Sequence, residues 1–332
     1  MRILFFLILV IIASTISAQK VELLTSTTHA SFRGLSVVDD QVVWVSGSNG
    51  VVGRSLDGGK TWEWITVPGH EKNDFRDIEA FDKNTAVIMA IATPAIILKT
   101  GDGGKTWQQV YENNTPGMFL DAMDFWNKDS GIVLGDPIKG RFFIAHTFDG
   151  GDSWHEVPYM SSPPADSGEA CFASSGTNIR VLGKKTSCIV TGGVRSRLLL
   201  RNDKAIELPI QQGRETTGAN SIAIQDPQHF VVVGGDFTHD TVTYKNCALT
   251  RDGGTTWAAP TVPPHGYRSC VEYIEKNKLI CCGTSGVDVS TDGGMSWQLI
   301  DTGNFHVCRK AKKGHAVFLA GGNGRIGKLT TF

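Results

Sequence analysis

The chain lacks most of the features by which a function is quickly assigned. Its 32 lysines and arginines balance 33 aspartates and glutamates to a net charge of −1, so it offers nucleic acid no basic footprint. Seven cysteines are present but no Cys-x-x-Cys pair, which removes the usual zinc and thioredoxin-type spacings. Few segments carry helical periodicity, there is no low-complexity tract, and after residue 13 no apolar run is long enough to cross a bilayer. Gly322-Asn-Gly324-Arg-Ile-Gly327 matches the dinucleotide fingerprint by letter. The chain ends five residues later, without the helix that must follow such a loop, and no haem, flavin or quinone signature occurs; no cofactor is expected.

What is abundant is glycine, 38 of 332 residues, and much of it recurs in one short motif. The copies are Ser55-Leu-Asp57-Gly-Gly-Lys-Thr61-Trp62, Thr100-Gly-Asp102-Gly-Gly-Lys-Thr106-Trp107, Thr147-Phe-Asp149-Gly-Gly-Asp-Ser153-Trp154, Thr250-Arg-Asp252-Gly-Gly-Thr-Thr256-Trp257 and Ser290-Thr-Asp292-Gly-Gly-Met-Ser296-Trp297. From Asp57 to Asp102, Asp149, Asp252 and Asp292 the successive steps are 45, 47, 103 and 40 residues. The long step is two periods, so one unit has lost its motif. Asp-Gly-Gly suits a tight hairpin: glycine takes positive φ freely and Asp bonds turn amides, while Trp anchors the returning strand. The D-x-[DN]-x-[DN]-G spacing of a calcium loop is absent, and no metal site is expected.

A second repeat counts the units. Seven apolar runs end in small residues: Val42–Gly47, Ala86–Ala92, Gly131–Gly135, Cys188–Gly193, Phe230–Gly235, Leu279–Gly283 and Ala316–Gly322. Such runs fit strands buried on both faces. A period near 45 with strand-like flanks predicts an all-β, seven-bladed propeller of four-stranded antiparallel blades over residues 19–332. Only one more strand, around Arg325–Thr330, can follow the seventh run. Val21-Glu-Leu-Leu-Thr25 is therefore expected to close the ring as the missing outer strand.

The first residues read as an address. Met1-Arg2 precedes an apolar core, Ile3–Ala13, and a small-residue exit, Ser14–Ala18. This predicts a signal peptide over residues 1–18, with cleavage leaving Gln19 first and the protein secreted or periplasmic. A retained anchor is the competing reading, against which the core is short for a span. Cys171, Cys270 and Cys308 take matching places in their repeats, on innermost strands expected to lie too far apart for a disulfide.

Aligning the segments before the apolar runs gives Ser31-Phe-Arg33, Asp74-Phe-Arg76, Met118-Phe-Leu120-Asp121, Ser167-Gly-Glu169-Ala-Cys171, Thr217-Gly-Ala219-Asn220, Gly266-Tyr-Arg268 and Asn304-Phe-His306. Each is expected to begin an innermost strand at one mouth of the channel. Arg33, Arg76, Arg268 and His306 would then form a basic arc, with Glu169, Asp121, Asp124 and Asn220 across from it. Such an arc would attract anions, and arginine reads carboxylates bidentately. The same arginines could instead bond carbonyls of neighbouring blades, or Asp77 and Glu79, and hold the ring. The loops opening Gly135-Asp136-Pro137 and Gly234-Gly235-Asp236-Phe237 could face either mouth.

The five motifs resemble the Asp-box (BNR) repeats of sialidases, sortilin-type receptors and photosystem II assembly-factor-like propellers. Phe32-Arg33, Gly47-Ser-Asn-Gly50 and a box with Lys60-Thr-Trp62 are similar to the last group over essentially the whole chain beyond residue 18. That resemblance implies a seven-bladed propeller whose arginine-lined face engages other proteins, a photosystem subunit in photosynthetic members. The expectation is an exported, monomeric binding or assembly propeller holding a protein client or anionic ligand, with Arg33, Arg76, Arg268, His306, Glu169 and Asp121 at the site and no catalysis. The alternative is a glycan-acting enzyme, a sialidase-like hydrolase or a lyase. There the arginines would clamp a carboxylate, Tyr267 or Tyr244 would be the nucleophile, Glu169 or Glu272 its base, and Asp121 or Asp124 the acid. Against it, sialidases have six blades, and Gly34-Leu35 stands where their pattern wants Ile-Pro.

Overall fold

A computed structural model describes residues 19–92, 94–184, 186–200 and 204–330; the expected signal peptide lies outside the described residues. Alternating short strands and glycine turns build seven antiparallel blades in chain order. Blade 1 runs Phe32–Val37, Val43–Gly47, Val51–Ser55 and Glu63–Thr66 from the channel outward, and blade 2 repeats it as Phe75–Ala80, Ala86–Ala90, Ala95–Thr100 and Gln108–Asn113. The apolar runs form the second strand of each blade. Val43–Gly47 and Ala86–Ala90 are buried at every residue, because a blade packs on both faces. The core is accordingly a series of apolar clusters between successive blades, such as Trp44, Phe75, Ile78 and Ile88 between blades 1 and 2.

Blade 7 consists of Val307–Lys310, Val317–Ala320 and Ile326–Leu329, completed by Val21–Thr25, which pairs Val21 with Leu329 and Leu23 with Gly327. The ring closes as expected, with no blade left short of its outer strand on this side. In blade 5, where Cys247–Thr250 is the third strand, a single bridge from Leu249 to Ala258 stands in for the fourth. Blade 4, which like blade 7 has no Asp-box, still has an outer hairpin, Arg197–Leu200 with Lys204–Glu207.

Each box is a hydrogen-bonded knot. In the first, Thr61 donates its N–H to Asp57 Oδ1 (2.9 Å) and its hydroxyl to Oδ2 (2.6 Å), while the Gly59 N–H reaches Ser55 Oγ (2.9 Å). Gly58 and Gly59 have φ of +73° and +88°, which a side chain would resist. The Thr61 bonds hold the Asp57 carboxyl at about 2, and the same arrangement holds Asp102, Asp149 and Asp252 there. The boxes sit at turns between the third and fourth strands, remote from the channel.

All seven cysteines are buried and unbridged. No disulfide joins neighbouring innermost strands, although their cysteines come close. In the structure the Cys270 and Cys308 sulfurs are 3.7 Å apart across blades 6 and 7. Cys171 does not match them, because the innermost strand of blade 4 is broken there.

Candidate functional site at the channel mouth

The innermost strands enter the channel with a bulge. Phe32 pairs with Gly47 and Gly34 with Ser46, leaving Arg33 as the extra residue. Arg76, Asp121 and Asn220 are the extra residues of blades 2, 3 and 5. A bulge bends the strand and re-aims the side chain it leaves unpaired. Here the bulges set a ring of polar residues at the channel mouth. His306 joins it from blade 7, and a cleft of about 440 Å³ opens between Arg33, Arg76 and His306 on one side and Asp136 on another. Its walls are aromatic: Phe119, Phe172, Phe237 and Tyr267.

Electrostatics divide the basic arc. Arg76 Nε lies 2.8 Å from Asp74 Oδ2, both about a quarter exposed. Arg33 has no ion pair among the described residues. Burial and then Arg76 lower its pKa, and Nη1 makes only a long contact, 3.5 Å, to the Ser174 carbonyl. Burial, aided by Arg33 and Arg76, drops His306 to about 3, so its ring is neutral near pH 7. Arg268 is not in the cleft at all. It is fully buried, with Nε 2.7 Å from Asp288 Oδ2 and Nη1 bonding the Tyr267 carbonyl and Ser285.

Register explains the correction. Arg268 donates its N–H to the Gly234 carbonyl of blade 5, as Phe32 does to Gly321 of blade 7, so Arg268 takes the place of Phe32 and Ser269 that of Arg33. Blade 3 is likewise shifted by one residue: Leu120 replaces Phe32 and Asp121 replaces Arg33. A slip of one residue exchanges the two faces of a strand. It sends Phe119 and Tyr267 into the cleft wall and Arg268 between blades.

Glu169 is also removed from the site. It accepts from Arg197 Nε (2.8 Å), the Thr191 hydroxyl (2.5 Å) and the Asp166 N–H (2.9 Å), all inside blade 4. Asp121 is at the mouth but fully buried, it does not line the cleft, and it makes no ion pair among the described residues. Burial, with Asp136 adding to it, raises its pKa well above the carboxylate range; Arg76 and the Ala173 amide only partly oppose this. Asp124 lies deeper and caps the Val181 and Phe125 amides. The tyrosine–carboxylate pair of a sialidase-like centre is not assembled. The Tyr267 hydroxyl bonds Asn220 Oδ1 (2.8 Å) and approaches Ser174 Oγ (3.4 Å), Glu272 pairs with Arg180, and Tyr244 is exposed on a loop.

Glu169–Ala170 pairs with Gly192–Gly193, and Ile179–Leu182 with Thr186–Val190, so residues 171–178 leave the innermost strand of blade 4 between the two pieces. The excursion crosses the channel. Ser175 donates to the Ser269 carbonyl of blade 6 (2.7 Å), Thr177 to Ser221 of blade 5 (2.6 Å), and the Gly176 carbonyl accepts from Arg309 of blade 7 (3.2 Å). It floors the cleft and separates it from a smaller cavity of about 120 Å³ at the opposite mouth, where Arg180, Arg309, Glu272, Asp124 and Asp77 neutralise one another. The only signal for it was the polar, turn-prone run Ser174-Ser-Gly-Thr-Asn178. Among the described residues no cluster of His, Cys, Asp or Glu is arranged to hold a metal ion, and no helix is long and apolar enough to cross a membrane.

Comparison with known proteins agrees with this architecture. The family model described as photosynthesis system II assembly factor YCF48 matches residues 13–120, about a third of the chain. The photosystem II assembly lipoprotein Ycf48 of Picosynechococcus sp. is 25% identical over 336 residues, covering 84% of this chain and 91% of that protein. The vacuolar protein sorting/targeting protein 10 of Neosartorya fischeri is 28% identical over 246 residues, but the chain spans only 16% of its length. Among solved structures, YCF48 bound to D1 peptide superposes with a TM-score of 0.68 at 18% identity, over 96% of this chain and 99% of that one. YCF48 from Cyanidioschyzon merolae superposes with a TM-score of 0.69 at 15% identity, over 93% and 98%. With seven closed blades, five Asp-boxes and these similarities, the chain is an Asp-box propeller resembling the photosystem II assembly factors of the Ycf48 type.

Proposed function

We propose that the protein is an exported docking propeller that holds a segment of a client protein by an anionic group in the cleft between Arg33 and Arg76. The observation that carries this reading is Arg33 itself: a desolvated guanidinium beside a second one, facing an open cleft with no carboxylate of its own. Two guanidinium groups so placed are a ready receptor for a carboxylate, and the aromatic walls suit the apolar side chains that flank it in a peptide. A protein client is supported by the resemblance to Ycf48, one of whose solved relatives is described as bound to a D1 peptide. Export is supported by the N-terminal sequence and by the lipoprotein description of the Picosynechococcus relative. The test is a screen of acidic pentapeptides, followed by titration of the binders against Arg33→Ala and Arg76→Ala. Each variant is expected to weaken binding about tenfold or more with an unchanged circular-dichroism spectrum. Equal affinity in the double variant would remove the arginines from the site.

A further inference from the structure

The seam between blades 6 and 7 gathers three thiols that the cleft does not use. Blade 6 begins with Cys270–Glu275 and Lys278–Gly283, where Cys270 and Cys282 stand opposite each other, and blade 7 begins with Val307–Lys310. Cys308 meets them across the seam. Its sulfur lies 3.7 Å from that of Cys270, and its N–H reaches the same sulfur at 3.4 Å. All three thiols are fully buried in one apolar cluster with Ile280, Val307 and Leu319. As packing, a buried thiol is a small apolar group that alanine or valine could replace. Two sulfurs in contact across a seam can also be joined. A disulfide holds its sulfurs about 2.05 Å apart, and small rotations of the two side chains take up the remaining gap. The place is one where a link would matter. Blade 7 is assembled from both ends of the chain, with Val21–Thr25 pairing Ile326–Leu329. A covalent bond on its other side would tie this last blade to the ring independently of that pairing.

We propose that Cys270 and Cys308 are a disulfide-forming pair, which locks blade 7 to blade 6 when the chain folds in the presence of a disulfide oxidant. The structure holds the pair in its reduced form. In the closed ring both thiols are sealed from solvent, so the exchange belongs to the folding chain, before blade 7 has docked. One cysteine thiolate attacks the oxidant, forming a mixed disulfide and releasing the first thiolate. As the blades come together, the other cysteine thiolate attacks the cysteine sulfur of that mixed disulfide, which makes the Cys270–Cys308 bond and releases the second. The pair loses two electrons, the oxidant's disulfide gains them, and the two cysteine protons end on the two released thiols. Cys282 remains free, as do Cys171, Cys188, Cys247 and Cys281. Disulfides persist in oxidising compartments, the setting that export would provide, and the lock is independent of what the cleft binds.

The protein is unfolded and reduced, then refolded with oxidised and reduced glutathione. Its free thiols are counted by alkylation in denaturant, and the remaining link is mapped by mass spectrometry of unreduced peptides. Five alkylated cysteines are expected in place of seven, with one cross-linked pair of peptides carrying Cys270 and Cys308. The linked protein should melt about 5 °C above the protein refolded with reductant alone, because a bond between residues 38 apart restricts the unfolded chain. Cys308→Ala should lose both the link and the rise, whereas Cys282→Ala keeps them. The wild-type peptide map decides the matter even if Cys308→Ala does not fold. Seven free thiols after refolding overturn the proposal, as does a map that joins Cys270 to Cys282. A Cys270–Cys308 bond that leaves the melting temperature unchanged overturns the lock.

Discussion

Arg33 and Arg268 show how little a residue's neighbours in sequence say about its work. Both follow an aromatic and both precede a small residue, yet one faces a cleft without an ion pair and the other is sealed between blades against Asp288. Their substitutions should differ in kind. Arg268→Ala strands the buried Asp288 carboxylate, with only His265 (2.5 Å) left to serve it, and is expected to cost about 3–5 kcal/mol in urea unfolding. Arg33→Ala removes a desolvated cation with no ion pair and only a long contact to the Ser174 carbonyl, so its stability should equal or exceed that of the wild type while binding is lost. A large loss of stability in Arg33→Ala would show that this arginine holds the ring. The arginines of blades 1 and 2 were legible because Phe32 and Phe75 really are the residues that pack inward. Blades 3 and 6 misled because Phe119 and Tyr267 carry the same aromatic signature one position early. Nothing in a strand's composition reports the single residue by which its entry is offset.

At the scale of the element, the outer parts of the fold were plain in the sequence and the inner strand of blade 4 was not. The boxes and the doubly buried second strands have fixed chemistry, so their spacing alone gives seven units. Residues 171–178 obey no repeat: they are polar, they leave the strand, and their partners Ser269, Ser221 and Arg309 lie on other blades. Gly176 is the point where this segment is tightest. Its φ is +64°, and a Cβ there would lie 2.3 Å from the Asp77 carboxylate. Gly176→Ala is expected to destabilise the protein by about 2 kcal/mol or more in denaturant unfolding. Gly183→Ala provides the control. It has a similar φ of +61° with nothing within 4 Å, so it carries only the backbone cost, about 1–2 kcal/mol. Equal costs at the two positions would mean that the crossing segment is free to move away from Asp77.

Over the whole molecule, buried acids and surface boxes pull the pH dependence in opposite directions. Burial raises Asp77 to about 7 and Asp136 to about 6, and raises Asp121 and Glu272 as well. Their folded forms bind protons that the unfolded chain has released, so they favour folding increasingly as pH falls from about 8 towards 5. His306 and His146, lowered by burial, oppose this below about 6.5, but they are outnumbered. Below about 4 the box aspartates, held near 2 when folded, lose their contribution as protons reach the unfolded chain. The melting temperature should therefore peak between about pH 4 and 6, and a steady rise to pH 8 would contradict the buried charge states. The closure of blade 7 sets a different kind of limit, one of timing. Val21–Thr25 is made early and its partner Ile326–Leu329 about 300 residues later, so the first strand must wait through the synthesis of six blades. Until then the edge of Val317–Ala320 is bare, and the growing ring is an open arc with an adhesive end. A chain halted before its last strand would leave that edge open to whatever strand reached it first, so closing the ring is also what hides its seam.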